Sequence, residues 1–232
     1  MFDVFTTINP NGDFITQSKA ISSWSSKYKT YSINTKNDID KISELYKDVT
    51  FIETNNIFIY NNKELVKLDA ILDAIKHYTN NNSIIVNSDI ILKDNILIDE
   101  DYLENSIIIG SRYEIDGDKP IYKFDNGYDI FIFNKKHVDI FYNENYVIGM
   151  PWWDYWMPLI ADKSLLSVYH INTPTIYHIT HETNYDSNIW MKFGEHLYTD
   201  IMIKMLRNPM NISVYDFCLS IKAYIEKKQI NI

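Results

Sequence analysis

Leu65, Leu68, Leu72 and Ile75 recur at i, i+3, i+7 and i+10, the spacing of one face of an α-helix. Residues 64–78 therefore read as an amphipathic helix. Past the turn Asn80-Asn81-Asn82 comes a run, residues 83–86, too short and apolar to be anything but a buried strand. The same alternation fills the first half of the chain. Residues 4–8, 28–33 and 49–52 read as strands. Residues 15–26 read as a helix with Ile15, Ala20, Ile21 and Trp24 inward, and residues 38–46 as one opened by Asp38 and Asp40. Strands separated by helices imply right-handed crossovers and a mostly parallel sheet.

The second half is less regular. Residues 107–111, 130–133 and 175–179 read as strands of a mixed sheet, and a helix opens near Trp152. Residues 195–206 and 214–227 read as closing helices, the latter with Phe217, Ile221, Tyr224 and Ile225 on one face. With no internal repeat and no low-complexity linker, residues 1–232 are expected to form one domain.

A formal net charge of −9 argues against a nucleic-acid binder, which needs a basic surface to neutralise phosphates. A nucleotide-sized anion stays within reach if a metal ion supplies the positive charge. No run approaches the roughly 18–20 apolar residues of a transmembrane segment. The start, Met1-Phe2-Asp3-Val4-Phe5, lacks a basic region, and the single Cys218 agrees with a reducing compartment. A cytoplasmic protein is expected, with Cys218 a small apolar filler. Eighteen tyrosines and Asn-rich loops suit carbohydrate contact; an AT-rich genome explains them first.

In an open α/β sheet, ligands bind beyond the carboxyl ends of the strands. Those exits carry Thr6 and Thr7, then Asn87-Ser88-Asp89, then Ser111-Arg112, then His178 and His181. A carboxylate at Asp89 can bind a divalent ion that neutralises a diphosphate; an Asx-turn is the bland alternative. His178 and His181 fall on opposite sides of an extended strand, so one is expected to face the ion, with His178 preferred. Arg112 can clamp a phosphate or pair with Asp129. The six glycines are scattered, which excludes a phosphate-binding glycine loop, and no Gly-x-Ser-x-Gly elbow occurs.

The run Gly149-Met150-Pro151-Trp152-Trp153-Asp154-Tyr155-Trp156 sets one carboxylate among three tryptophans. Pro151 suits the first turn of a helix, and Asp154 then lies near unpaired N–H groups and the positive end of the dipole. The rings of Trp152 and Trp153 can offer flat faces to a sugar or base and shield the carboxylate. The plainer reading is a capped helix with a tryptophan-rich core face.

The ordered set Asn87-Ser88-Asp89-Ile90, Gly110-Ser111-Arg112-Tyr113-Glu114, residues 128–133, the Trp-Trp-Asp motif and a final His-x-x-His resembles GT-A-type glycosyltransferases. More narrowly, it is similar to a group of small glycosyltransferases of bacteria and large viruses, over roughly residues 4–185. The resemblance implies a GT-A-like α/β fold with a mixed, mostly parallel central sheet flanked by helices. Residues 1–110 would form a nucleotide-binding half, 111–185 an acceptor and metal half, and 186–232 closing helices. It implies a nucleotide-sugar donor, most simply a UDP-sugar, a glycan or other hydroxyl acceptor, and Mn²⁺ or Mg²⁺. Asn87 replaces the first Asp of the family's Asp-x-Asp, leaving Asp89 as metal ligand with His178, or His181, completing the coordination. Asp154 matches the catalytic base of inverting members. Thr6 and Thr7 would lie near the nucleobase or ribose, and Arg112 and Asp129 beside the donor's phosphates or sugar. The alternatives are a noncatalytic carbohydrate-binding module and a sugar nucleotidyltransferase; the latter wants a basic glycine-rich loop, which residues 6–12 lack.

Overall fold

The computed structural model describes residues 2–80, 82–93, 98–117, 119–124, 126–180, 187–207 and 211–232. The chain opens with β1 (Phe2–Thr6), α1 (Phe14–Ser25), β2 (Lys29–Asn34), α2 (Lys36–Ile42) and β3 (Val49–Glu53). A hairpin of β4 (Ile57–Tyr60) and β5 (Lys63–Val66) leads to α3 (Leu68–Tyr78), β6 (Asn82–Val86) and β7 (Ile90–Leu92). After a 3₁₀ turn at Glu100–Glu104 come β8 (Ser106–Gly110), β9 (Tyr113–Asp116), β10 (Lys119–Lys123) and β11 (Ile130–Asn134). A second 3₁₀ stretch, Lys135–Phe141, precedes α4 (Trp153–Lys163), β12 (Ser167–Ile171) and β13 (Ile176–Ile179). The chain closes with α5 (Ser187–Tyr198), a π-helical turn at Thr199–Met205, α6 (Val214–Lys228) and β14 (Ile230–Asn231).

The main sheet has eight strands in the order β14-β12-β8-β11-β6-β1-β2-β3. Strand β11 runs antiparallel between β6 and β8. The other pairings are parallel, because helices or long connections return the chain to the same edge. Side chains alternate between two cores, as the period of a pleated strand requires. Ile84, Val86, Ile108, Ile130 and Ile132 pack with Trp24 of α1. Ile85, Ile107, Ile109, Phe131 and Phe133 pack with α3, α4 and α5 through Ile71, Trp153 and Phe193. A smaller sheet, β10-β9-β13-β7, sits beside the exits of β6 and β8. There β13 pairs parallel with β9 and antiparallel with β7.

Helix starts follow local chemistry. Asp13 accepts from the Thr16 N–H, Thr35 from Asp38 and Ser213 from Asp216, each satisfying an otherwise unpaired donor. Several expected boundaries move. The first strand is Phe2–Thr6 rather than 4–8, and Ile15 is 65% exposed rather than inward. Residues 64–78 are not one helix: Lys63–Val66 is a strand, joined to β4 through Asn61 and Asn62, both at positive φ. Two asparagines in the left-handed region make the tight hairpin turn that closes this ribbon. Leu65 thus belongs to the strand and Leu68 to the helix. The expected helix 195–206 is two elements, α5 and the π-helical turn.

Candidate active site

Three segments converge where β6, β8 and β13 end or meet. Residues 87–89 turn the chain from β6 into β7, with the Ile90 N–H on the Asn87 carbonyl at 3.2 Å. The register of β11 against β6, Ile130 opposite Val86, sets Asp129 beside Asn87. The Asn87 amide Nδ2 donates to Asp129 Oδ1 at 3.1 Å. In the smaller sheet, His178 is in register with Ile90 on one side and Glu114 on the other. That pairing carries the imidazole to Asp89, whose Oδ2 lies 3.5 Å from His178 Nε2.

A chain of charges extends from this pair. His178 Nδ1 lies 2.9 Å from Glu114 Oε2, and Arg112 Nε donates to Glu114 Oε1 at 2.7 Å. Arg112 Nη1 donates to Asp129 Oδ1 at 2.9 Å, and the guanidinium stacks 3.9 Å above the Phe124 ring. Of the two roles open to Arg112, the structure displays the carboxylate pairing, doubled by Glu114. Burial opposes charge at each of these groups; partners outweigh it at Arg112, Glu114, Asp89 and His178, whereas at Asp129 burial wins over Arg112 and the carboxyl is raised. Burial pushes the His178 imidazole down, and the hydrogen bonds to Asp89 and Glu114 bring it net above its usual value. Asp89 and Glu114 are likewise held below the ordinary carboxylate range, against burial, chiefly by His178.

Asp154 sits on the other side of Asp129. It lies in the first turn of α4, half-buried, and its Oδ2 accepts the Tyr128 N–H at 3.2 Å. Ser111 Oγ donates to the Gly127 carbonyl at 2.8 Å, and Tyr128 OH donates to Gln229 Oε1 at 3.2 Å. The 127–128 segment is thereby fixed from both ends. Burial raises the Asp154 carboxyl, opposed by the Tyr128 N–H and reinforced by Asp129, to about 7. A carboxylate poised there takes up a proton readily near neutral pH. Gly127 makes the room: a Cβ at this position would meet Asp154 Oδ2 at 2.7 Å.

The helix start differs from expectation in detail. Pro151 precedes the helix, and Trp152 takes the N-cap at φ +77°, a left-handed conformation rare for a large side chain. Its indole, buried, donates to the Trp190 carbonyl at 3.0 Å and packs on the Trp190 ring. Trp153 is 2% exposed and packs on Phe131. Both rings face inward, so the expectation that Trp152 and Trp153 present flat faces to a sugar is corrected. The apolar side of α4 covers the sheet, and its tryptophans are that side.

Thr6 is fully buried with a hydroxyl that has no hydrogen-bond partner among the described residues, and Thr7 is half-buried at the β1 exit. His181 lies outside the described residues. Sequence reasoning missed Glu114, Gly127 and Tyr128 as site residues. Of these, Glu114 lies on β9 just after Arg112, and its role shows only once β9 is paired with β13.

For a divalent cation, Asp89 and His178 Nε2 form a carboxylate and imidazole pair. Asn87 Oδ1 and Asp129 Oδ2 are buried acceptors with no hydrogen-bond partner among the described residues, an arrangement that calls for a cation or a donor. Among the described residues no three His, Cys, Asp or Glu side chains converge to hold an ion alone. The set fits a hard cation that takes its remaining ligands from a diphosphate and water. A hollow of about 500 Å³ lined by Ser26, Tyr28, Asp48 and Thr50 lies at the opposite ends of β2 and β3 and shares none of these residues.

No protein-family profile matches the sequence, and no curated protein matches it. Solved structures do. TarS residues 1–349 of S. aureus in complex with UDP-GlcNAc aligns with a TM-score of 0.57 at 11% identity, covering 98% of this chain and 72% of that one. The same TarS segment with UDP gives 0.53 at 12%, covering 97% and 70%. The longer TarS structure gives 0.51 at 12%, with this chain spanning 42% of its length. At such identities the likeness is one of fold: a GT-A-like α/β architecture with a mostly parallel central sheet flanked by helices.

Proposed function

We propose that this chain is a glycosyltransferase that moves a sugar from a nucleoside-diphosphate sugar, most simply a UDP-sugar, to a hydroxyl acceptor with inversion. The observation that carries the reading is Asp154, a carboxyl raised to about 7, one segment away from the Asp89–His178 pair at the sheet's exit edge. The fold shared with TarS, captured with UDP-GlcNAc and with UDP, supports the donor class.

Asp89 and His178 would hold Mn²⁺ or Mg²⁺, with Asn87 and Asp129 presenting further oxygens. When bound, that ion neutralises the diphosphate and stabilises it as leaving group. Asp89 and Glu114, whose carboxyls are held low, would repel a diphosphate, and a cation between them and the phosphates offsets that repulsion. Asp154 accepts the proton of the acceptor hydroxyl as that oxygen bonds to the anomeric carbon. The bond from that carbon to the phosphate oxygen breaks on the opposite side, and the nucleoside diphosphate leaves with the electron pair. The Tyr128 N–H orients the carboxylate, whose burial raises it toward the neutral form. Thr7, half-buried at the β1 exit, lies where a nucleobase or ribose would rest, with the fully buried Thr6 behind it.

The test is incubation with a panel of nucleotide sugars and Mn²⁺, in which slow donor hydrolysis is expected even without acceptor. Calorimetry that detects no nucleotide or nucleotide-sugar binding, with or without the ion, would refute the reading. Binding without turnover would favour a noncatalytic module instead.

A further inference from the structure

The Arg112–Glu114–His178 chain has a directionality of its own. Glu114 is 4% exposed, and both its oxygens are engaged. Oε1 accepts from Arg112 Nε, while Oε2 faces His178 Nδ1 at 2.9 Å and accepts from Thr180 Oγ1 at 3.2 Å. An ionised carboxylate can only accept, so His178 Nδ1 has to carry a hydrogen. In the neutral ring Nε2 then bears the lone pair, and Nε2 is the atom beside Asp89. Arg112 cannot swing away to release Glu114, because Asp129 and the Phe124 ring hold the same guanidinium.

We propose that Glu114 is a positioning residue that fixes the His178 tautomer, so that Nε2 offers its lone pair beside Asp89 to the cation accompanying a nucleoside diphosphate. This rests on the transferase reading above. A second partner that orients a ligating imidazole and raises its basicity is worth roughly 10–100-fold in metal affinity. Nothing in residue type singled Glu114 out; the parallel register of β9 and β13 makes the assignment, by placing residues 114 and 178 opposite each other.

Glu114→Gln reverses the polarity with almost no change of shape. Arg112 only donates, so the Gln oxygen has to face Arg112 Nε, and the amide NH₂ is left facing His178 Nδ1. The ring must then accept at Nδ1 and carry its hydrogen on Nε2, pointing at the cation. The experiment measures UDP affinity by calorimetry with and without Mn²⁺, for the wild type and Glu114→Gln. Alongside it, ¹⁵N spectra of the histidine rings are recorded above the imidazole's titration. The wild type should show His178 protonated at Nδ1 and a Mn²⁺-dependent tightening of UDP. Glu114→Gln should show the Nε2–H tautomer and lose roughly 10–100-fold of Mn²⁺ affinity, with UDP affinity in the absence of metal unchanged. A variant that retains the wild-type Mn²⁺ response would overturn the role of Glu114 while leaving the transferase reading intact. A wild type that binds no UDP under any condition would overturn both. Should the variant fail to fold, the wild-type spectrum decides alone: a hydrogen on Nε2 of His178 contradicts the proposal.

Discussion

Replacing Asp154 by Asn separates catalytic from structural consequences, because the two move in opposite directions. A carboxyl raised from 3.8 to about 7 on folding is a group that resists ionisation in the native state. Its folded pKa lies above its unfolded one, so between roughly pH 4 and 7 the native state binds more protons, and stability falls as pH rises. At ~1.4 kcal/mol per pH unit the full rise corresponds to ~4 kcal/mol. Asp154 is half-buried rather than sealed off, so screening by solvent lowers the expected figure to about 2 kcal/mol. The Asn side chain keeps an oxygen for the Tyr128 N–H and has no charge to desolvate. Urea denaturation at pH 5 and pH 8 is the assay. Relative to wild type, Asp154→Asn should gain about 1 kcal/mol on going from pH 5 to pH 8, the part of the whole that falls inside that interval, while donor hydrolysis falls by roughly 10²–10⁴-fold, the ordinary worth of a general base. Nucleotide affinity should not change. Parallel stability curves for the two proteins would refute the perturbed carboxyl, and unchanged turnover would remove Asp154 from the chemistry.

Other consequences follow from the same geometry. In the wild type, the rate of donor turnover should rise with pH through about 7, as Asp154 ionises; a rate that falls over that range would contradict its use as base. Asp89→Asn should abolish the Mn²⁺-dependent tightening of UDP while the far-ultraviolet circular dichroism stays that of wild type. Gly127→Ala forces a Cβ to within 2.7 Å of Asp154 Oδ2; displacing the carboxylate by about 1 Å should cost on the order of 10²-fold in kcat, with UDP affinity within twofold by calorimetry. Arg112→Met leaves Glu114 and Asp129 buried without their cation and should destabilise the protein by about 3–5 kcal/mol in urea. Arg112→Lys should recover only part of this, because an ammonium cannot fork between two carboxylates.

Much of the architecture is legible from the chain because burial on both faces leaves its mark in composition. Residues 84–86, 107–110 and 130–133 are continuous apolar runs, and each lies in a central strand. Strands β9 and β10 of the smaller sheet leave no such mark. Tyr113–Asp116 and Lys119–Lys123 are short and polar, and only pairing with each other and with β13 makes them strands. The hairpin before α3 was hidden because Leu65 and Leu68 satisfy a helical spacing as well as a strand end. At the site, Asp89, Asp154, Asp129 and His178 are readable as strand exits or a helix start, since those positions follow from the fold. Glu114 and Gly127 are not, because their importance arises from what faces them across 64 residues in one case and across a bend of the chain in the other. The tryptophans were ambiguous in sequence for a plain reason: a ring that stacks on a sugar and one that stacks on Phe131 look alike until burial is known.

The most direct measurement is an anomalous difference map at the manganese edge from a crystal soaked with UDP and Mn²⁺. The account predicts a peak held between Asp89 Oδ2 and His178 Nε2 and touching the diphosphate, with the Asp154 carboxylate facing the open side where a donor sugar would sit. A manganese ion and nucleotide bound elsewhere on the molecule, with Asp89 still resting against His178, would contradict it.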